Sequence, residues 1–211
     1  MFDDRTDAGR RLAAAIRDRG IDADIVLAIP RGGLPVARPV ADELGVPLSV
    51  VVARKVGAPM NPELAIGAVA PDGSVWLNDE LLRRLRIDDA YLERAIEEEA
   101  EQAAEKERRY LGTDPPDLRG ATAVLVDDGV ATGSTARACI ERLRAAGAER
   151  IVLAVPVGPP DSLSRFEREV DDVIALERPT TFGAVGQYYR SFDQVPDENA
   201  VQYLDRETGA F

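Results

Sequence analysis

The chain contains no histidine and a single cysteine among its 211 residues. Without histidine, the usual zinc sites and the histidine-dependent catalytic triads are excluded. Cys139 by itself cannot form an internal disulfide, and its position within a predicted helix beside Ala138 and Ile140 favours a core residue over a nucleophile. The chemistry of the protein therefore does not depend on imidazole, and a cysteine nucleophile is the less favoured alternative.

Long apolar runs and a positive net charge are absent as well. No run approaches the roughly 18 residues that a membrane helix needs, and the charged N-terminus is unlike a signal peptide, so we expect a cytoplasmic protein without a membrane partner. The formal net charge of -12 would repel nucleic acid, which is therefore not an expected partner. Only Lys55 and Lys106 are lysines among 26 basic residues. A salt-adapted surface and an arginine-favouring genome both remain open as explanations.

Five short apolar runs lack polar alternation, which predicts strands buried on both faces of a parallel sheet. Helical spacing in the segments between them predicts helices on both sides of that sheet. The sequence therefore predicts one α/β domain over residues 1–211. We expect the strands at 25–29, 48–53, 122–126, 151–155 and 173–176, and the helices at 5–19, 34–44, 133–146 and 162–169.

The middle of the chain departs from this alternation. Glycine and proline interrupt residues 54–78, where the pair Asp72 and Gly73 predicts a hairpin turn between two short apolar stretches. Residues 89–111 follow a single apolar stripe and predict the clearest helix of the chain, with Gly112 as its end. We expect an insertion at this point of the fold.

The chemistry concentrates in residues 124–135, with the sequence VLVDDGVATGST. A buried strand delivers Asp127 and Asp128 to its carboxyl end, where open α/β sheets place ligands. The loop of small residues that follows enters a helix, and the amides of residues 131–135, the nearby hydroxyls and the helix dipole favour a phosphate monoester. The two carboxylates would repel that phosphate, so ribose hydroxyls are their natural partners.

A plainer interpretation is that Asp128 and Gly129 form only a turn and that residues 132–135 only cap a helix. The complete twelve-residue pattern after a buried strand favours the binding site. Two competing phosphate motifs do not fit, because no lysine precedes Ser134 or Thr135 as in a P-loop, and no G-x-G-x-x-G follows the strand.

This segment resembles the phosphoribosyl pyrophosphate motif of type I phosphoribosyltransferases. The resemblance implies an α/β fold of three layers, with a mostly parallel sheet flanked by helices. It further implies a flexible hairpin flap, a long helical insertion at 79–112 and a small C-terminal hood at 177–211. It also implies Mg2+ as cofactor, phosphoribosyl pyrophosphate and an unknown base as substrates, and a homodimer.

Three further segments resemble family sites. Residues 30–33 stand where the family has its pyrophosphate loop, and the alternative is a simple helix start with an exposed arginine. The pair Arg54 and Lys55 resembles the start of the mobile loop that closes over pyrophosphate, within residues 55–67. Phe182 and Tyr188 are similar to the aromatic segment that stacks on purine acceptors, although packing of a C-terminal lobe explains them equally well.

The resemblance implies transfer of a 5-phosphoribosyl group to a nitrogenous, nucleobase-like acceptor, with release of pyrophosphate, in nucleotide metabolism. The alternative is a protein of the same fold that binds phosphoribosyl pyrophosphate as a signal without turning it over. Another phosphate-ester enzyme, a phosphatase or kinase-like protein, is a third candidate, for which the sequence offers no nucleophile or nucleotide loop. The resemblance implies five catalytic residues: Arg31, Arg54, Lys55, Asp127 and Asp128. The implied substrate-binding residues are Pro30, Gly32, Gly33, Asp127, Asp128, Gly129, Ala131, Thr132, Gly133, Ser134, Thr135, Phe182 and Tyr188. Asp127 and Asp128 are also expected to hold the metal indirectly, through ribose hydroxyls or water.

Overall fold

The structure is a computed structural model that describes residues 1–111 and 115–204. Eight strands and seven helices alternate along these residues, with a short 3-10 helix at Val185–Tyr188. The strands are β1 Ile25–Ala28, β2 Leu48–Val50, β3 Arg54–Ala58, β4 Asn61–Val69, β5 Val75–Leu77, β6 Thr122–Val126, β7 Arg150–Val157 and β8 Asp172–Glu177. The helices are α1 Arg5–Asp18, α2 Gly33–Leu44, α3 Asp79–Leu85, α4 Asp89–Leu111, α5 Ser134–Ala145, α6 Pro160–Phe166 and α7 Asp197–Gln202.

A five-stranded sheet in the order β2-β1-β6-β7-β8 forms the centre of the fold, and every strand pair in it is parallel. Alternate residues of its strands enter two separate apolar clusters on opposite faces. Leu27 and Leu125 pack on one face with residues of α5 and α6, while Val26 and Val124 pack on the other with residues of α1 and α2. Both faces are therefore buried, which explains the runs without polar alternation.

The predicted α/β class and the five core strands are confirmed. The bounds of β6 and α4 agree with the prediction to the residue, and the other predicted core elements differ by one to three residues at their ends. The largest strand difference is in β2, which ends at Val50 although the apolar run continues to Ala53. Residues 51–53 stay buried, and the backbone amide of Val51 still donates to the oxygen of Ala28 in β1 at 3.0 Å, but the regular strand pairing ends before them. The apolar run therefore predicted an end for β2 three residues beyond the observed one.

A second, antiparallel sheet of β3, β4 and β5 follows β2. The predicted turn is confirmed between β4 and β5, where Gly73 has a φ of 85° that favours glycine. Strand β3 and the seven-residue helix α3 were not predicted, because glycine and proline break the pattern of the first and the second is too short for a periodic signal. The apolar stripe of α4 covers this small sheet.

The C-terminal segment folds back on the beginning of the chain. Phe2 forms an isolated parallel bridge with Tyr189, and both side chains are buried in one cluster. The predicted end of α4 at Gly112 and the last residues of the expected hood, 205–211, lie outside the described residues. Within the described ranges, no helix combines the length and the apolar character that crossing a membrane requires.

Helices α1 and α2 pack closely because Gly9 has no side chain. A Cβ at position 9 would lie 2.3 Å from the carbonyl oxygen of Val36 in α2. We predict that Gly9→Ala lowers the free energy of unfolding by about 1–3 kcal/mol, since the clash is with backbone and outweighs the better helix propensity of alanine. Thermal unfolding measures this as a lower Tm, and a variant as stable as the wild type would contradict the close packing.

Candidate functional site

Two loops meet at the carboxyl ends of the neighbouring strands β1 and β6. Residues 30–33 leave β1, and the peptide bond between Pro30 and Arg31 is cis. A Cβ on Gly32 would lie 2.1 Å from Oδ2 of Asp128, and one on Gly33 would lie 2.7 Å from the carbonyl oxygen of Val126. The absence of side chains at these two positions lets the first loop lie directly against the carboxylate pair.

The loops open into a cleft of about 800 Å³. The sequence-predicted residues that line it are Pro30, Arg31, Gly32, Arg54, Lys55, Asp127, Asp128 and Thr135. Residues that line it without having been predicted include Arg5, Glu63, Glu99, Lys106 and Phe192. The cleft thus joins both predicted loops to the first hairpin of the small sheet, to α1, to α4 and to the C-terminal segment.

The two aspartates that follow β6 are partly buried. Oδ1 of Asp127 accepts a hydrogen bond from the backbone amide of Asp128 at 2.8 Å. Burial, and then the charge of Asp128, raise the pKa of the Asp127 carboxyl well above its usual range. Burial also raises the pKa of Asp128, while the guanidinium of Arg5 opposes that rise. The negatively charged form of the two carboxyl groups is therefore disfavoured in the ligand-free site.

Arg5, which had no predicted role, binds Asp128 directly. Its Nε donates to Oδ2 of Asp128 at 2.9 Å, and the two side chains are only 11% and 15% exposed. The guanidinium also donates to the backbone oxygen of Asp193 at 2.9 Å and lies 3.8 Å from the ring centroid of Phe192. The hydroxyl of Tyr189 donates to the backbone oxygen of Asp128 at 2.6 Å. Asp128 is thus fixed by α1 and by the C-terminal segment.

The predicted phosphate loop connects β6 to α5. Across the described residues, no protein group accepts a hydrogen bond from the backbone amides of 131–135. Two of the loop's carbonyl groups, in contrast, accept hydrogen bonds: Ser162 donates to the oxygen of Ala131 at 2.7 Å, and Arg137 donates to the oxygen of Thr132 at 3.0 Å. An arrangement that binds carbonyl oxygens and leaves successive amides to a ligand is suited to an anion.

The start of α5 is fixed by packing that the sequence pattern did not reveal. Gly133 adopts a φ of 77°, and a Cβ there would lie 2.5 Å from the ring of Phe166. Arg137 is 4% exposed, forms an ion pair with Glu169 and lies 4.5 Å from the ring centroid of Phe166. The buried role of Arg137 could not be predicted from the sequence, because a single arginine in a helix usually occupies a solvent-exposed position.

The hairpin of β3 and β4 lines the cleft both at its base, with Arg54 and Lys55, and near its turn, with Pro62 and Glu63, and it also contacts α4. Arg54 forms an ion pair with Glu99 of α4, and Lys55 is exposed. The hydroxyl of Tyr91 in α4 donates to the backbone oxygen of Gly57 at 2.9 Å. The segment expected to be a mobile flap forms a hairpin that contacts α4 while its basic pair lines the cleft, and its mobility stays a prediction.

The aromatic residues predicted for the acceptor lie in the C-terminal segment and stack on each other. The ring centroids of Phe182 and Tyr188 are 5.6 Å apart with an interplanar angle of 14°, and the Tyr188 hydroxyl donates to the oxygen of Thr181 at 3.0 Å. The aromatic ring that lines the cleft is that of Phe192. The role of Phe182 and Tyr188 in acceptor binding stays a prediction.

Lys106 reaches the first loop from α4. Its Nζ donates to the backbone oxygen of Pro30 at 2.9 Å, so the long helix is tied to the residues that follow β1. Together with this ammonium, the cleft has five basic side chains and four acidic ones. The cleft lining thus carries one excess positive charge in a protein of net charge -12, which makes it more favourable to an anionic ligand than the acidic surface elsewhere.

Comparison with known proteins gives consistent matches over most of the chain. A family model described as a phosphoribosyl transferase domain matches residues 3–192. The crystal structure of TT1426 from Thermus thermophilus is 42% identical, has a TM-score of 0.82 and matches over 97% of both chains. Two Mycobacterium tuberculosis proteins, from strains CDC 1551 / Oshkosh and H37Rv, are provisionally named phosphoribosyl transferases and are 48% identical over 210 residues. These matches cover 98% of this chain and 47% of each relative, so the chain spans about half the length of the curated relatives.

Replacement of Gly32 tests the contact between the two loops. We predict that Gly32→Ala displaces the Asp128 carboxylate, because the new Cβ has no room beside Oδ2. The affinity of the cleft for its ligand should then fall at least about tenfold, as expected for one lost charge-assisted hydrogen bond. Calorimetry with phosphoribosyl pyrophosphate measures the affinity. Gly147→Ala is the control, because it adds the same methyl group at a strained position beside Arg119, before β7 and thus at the end of the sheet opposite the cleft. Equal affinities in the two variants would contradict the prediction.

The raised pKa of Asp127 makes stability depend on pH. As the pH rises above 3.8, the usual Asp value, the unfolded chain loses its proton before the folded one, so the free energy of unfolding falls. Asp127→Asn removes this loss while an amide oxygen can still accept the bond from the Asp128 amide. We predict that the Tm advantage of Asp127→Asn over the ligand-free wild type grows between acidic and neutral pH, and a difference independent of pH would count against the buried charge.

Proposed function

The chain belongs to the phosphoribosyl transferase family, and from this membership we propose that it transfers the 5-phosphoribosyl group of phosphoribosyl pyrophosphate to a nitrogenous acceptor, with release of pyrophosphate. The observation that carries the proposal is the meeting of loop 30–33 with the Asp127–Asp128 pair at the entrance to loop 131–135. Of the loop 131–135, Thr135 lines the cleft, so places for a leaving group and a sugar adjoin the loop assigned to the phosphate.

The sugar is bound by the carboxylate pair. Asp127 and Asp128 accept hydrogen bonds from the two ribose hydroxyls, which are neutral donors and reduce the cost of the buried charge. The 5-phosphate then lies in loop 131–135, whose backbone amides, Thr132, Ser134 and Thr135 hydroxyls and helix dipole supply donors and positive potential. The binding of the loop's carbonyl groups by Ser162 and Arg137 supports this assignment.

The leaving pyrophosphate is placed against loop 30–33. Arg31, Arg54 and Lys55 line that part of the cleft and offset negative charge as it develops. In the reaction the acceptor nitrogen forms a bond to C1 of the ribose while the bond from C1 to the pyrophosphate oxygen breaks, and pyrophosphate leaves with that electron pair. The transition state is oxocarbenium-like, so positioning and charge neutralisation matter more than a general base.

The residues of this site suit a divalent cation that binds together with the substrate. The cleft offers the carboxylate oxygens that Mg2+ prefers, yet among residues 1–111 and 115–204 no cluster of three acidic or cysteine residues is arranged to hold a metal. We infer that Asp127 and Asp128 would hold Mg2+ indirectly, through ribose hydroxyls or water. When bound, the ion neutralises charge on the leaving group.

A second candidate function is binding of phosphoribosyl pyrophosphate without turnover. It is favoured by the hairpin, whose Gly57 is tied to Tyr91 of α4 and whose Arg54 is already paired with Glu99. A sensor does not need a flap that closes and reopens, whereas a transferase gains from one. The acceptor assay below separates the two functions, because only the transferase releases pyrophosphate.

The test of the transferase is a pyrophosphate-release assay with phosphoribosyl pyrophosphate, Mg2+ and a panel of purine, pyrimidine and nicotinate-like acceptors. We expect release with one acceptor class. Tight binding without release from any acceptor favours the sensor, and no binding at all overturns both functions. Light scattering on the same sample tests the homodimer that the family resemblance implies.

The carboxylate pair is tested by the double variant Asp127→Asn with Asp128→Asn. We predict that its Mg2+-dependent affinity for phosphoribosyl pyrophosphate falls at least about a hundredfold, because two charge-assisted hydrogen bonds are lost. The matched control is Glu97→Gln with Glu98→Gln, which removes two adjacent charges from the exposed face of α4. Calorimetry that gave the wild-type affinity for the aspartate variant would remove the assigned role.

A further inference from the structure

We propose that Lys106 of α4 binds the anionic leaving group directly and is a substrate-binding residue of the site. The inference rests on the proposed function and extends it to a helix that carries no recognised motif. It concerns the side of the cleft formed by loop 30–33, where Lys106 already contacts the backbone. The chemical class of its ligand is a diphosphate or another doubly charged phosphate group.

The distribution of lysine in the chain is the first observation. The chain has 26 basic residues and only two lysines. Lys55 and Lys106 are far apart in sequence, and the structure brings both to the cleft, which contains five of the basic residues. Whatever favours arginine elsewhere in this chain has therefore not replaced lysine at the two positions that face the candidate ligand.

The position of the Lys106 ammonium is the second observation. Nζ donates to the oxygen of Pro30 at 2.9 Å, next to Arg31 and Gly32 of the loop assigned to pyrophosphate. The ammonium is also close enough to the carboxylate pair that its charge lowers the pKa of Asp127 against the effect of burial. The ammonium therefore contacts the first loop and lines the same cleft as the carboxylate pair.

The chemistry of lysine gives a reason for its retention. An ammonium is a compact charge with three donors in different directions, so it can bind a backbone oxygen and phosphate oxygens at once. A guanidinium is planar and larger, and its donors form a fixed fork. An arginine at 106 that reached the oxygen of Pro30 would direct its other donors along that plane, not around the loop toward the leaving group.

A purely structural role is the alternative that the experiment must exclude, because Lys106 could serve only to hold loop 30–33 against α4. The two roles differ in what happens when an anion binds. A structural lysine keeps its contact with Pro30 and its reactivity, whereas a ligand-binding lysine becomes covered by the anion. Reactivity of the amine therefore separates the roles without any mutation.

The first experiment is reductive methylation of the wild-type protein with and without inorganic pyrophosphate and Mg2+, followed by peptide mass spectrometry. The lysine side-chain amines are those of Lys55 and Lys106, and the N-terminal amine, paired with Glu177, serves as an internal control. We expect saturating pyrophosphate to slow modification of Lys106 at least about tenfold, because the bound anion covers the amine through a charge-assisted hydrogen bond, and to leave the N-terminal amine unchanged.

The second experiment compares Lys106→Met and Lys106→Arg by calorimetry with phosphoribosyl pyrophosphate. We expect affinity to fall at least about tenfold in Lys106→Met and to be only partly restored in Lys106→Arg, since charge returns without the compact geometry. Arg94→Met is the matched control, because it removes one positive charge from an exposed position of the same helix. Its affinity should equal that of the wild type.

The outcomes separate this inference from the proposed function. If the wild type binds phosphoribosyl pyrophosphate but pyrophosphate leaves the modification of Lys106 unchanged, the inference is wrong and the proposed function stands. If the wild type binds neither ligand, both are overturned. Should Lys106→Met fail to fold, the protection measured on the wild type decides the question alone.

Discussion

The site depends on one steric constraint, the contact between two loops at the carboxyl ends of β1 and β6. Gly32 leaves just enough room for the Asp128 carboxylate, and Gly33 lies against the backbone of the β6 loop. Because the strands are parallel neighbours in register, their ends meet at one edge of the sheet, and two segments distant in sequence form one surface. The parallel sheet thus provides the site with its geometry, and the absence of two side chains lets it close.

The core and the central motif could be predicted from the sequence, because each depends on local pattern. Runs such as 123–126 are apolar throughout since both faces of the sheet are covered, and the aspartates follow directly from that strand. Arg5 and Lys106 could not be predicted as site residues. Each lies in a helix among other charged residues, and only the tertiary packing of α1 and α4 brings its charge to the cleft.

The electrostatics of the cleft explain why the helical contributions matter. Burial raises the pKa of both aspartates, and the ion pair with Arg5 keeps Asp128 in a fixed orientation. Phe192 covers that guanidinium, so the C-terminal segment takes part in placing a carboxylate that belongs to the central sheet. Burial of these oriented carboxyl groups lowers the free energy of unfolding once the unfolded chain ionises, and such shifted pKa values are common at binding sites.

Helix α4 connects two parts of the cleft mechanically. Tyr91 near its beginning holds the hairpin at Gly57, and Lys106 near its end holds the loop at Pro30. With a rise of about 1.5 Å per residue, Tyr91 and Lys106 lie about 22 Å apart along the axis of α4. A tilt of α4 would shift the β3–β4 hairpin and the Lys106 ammonium together. The cleft entrance would then open in the same movement that withdraws a positive charge from the interior.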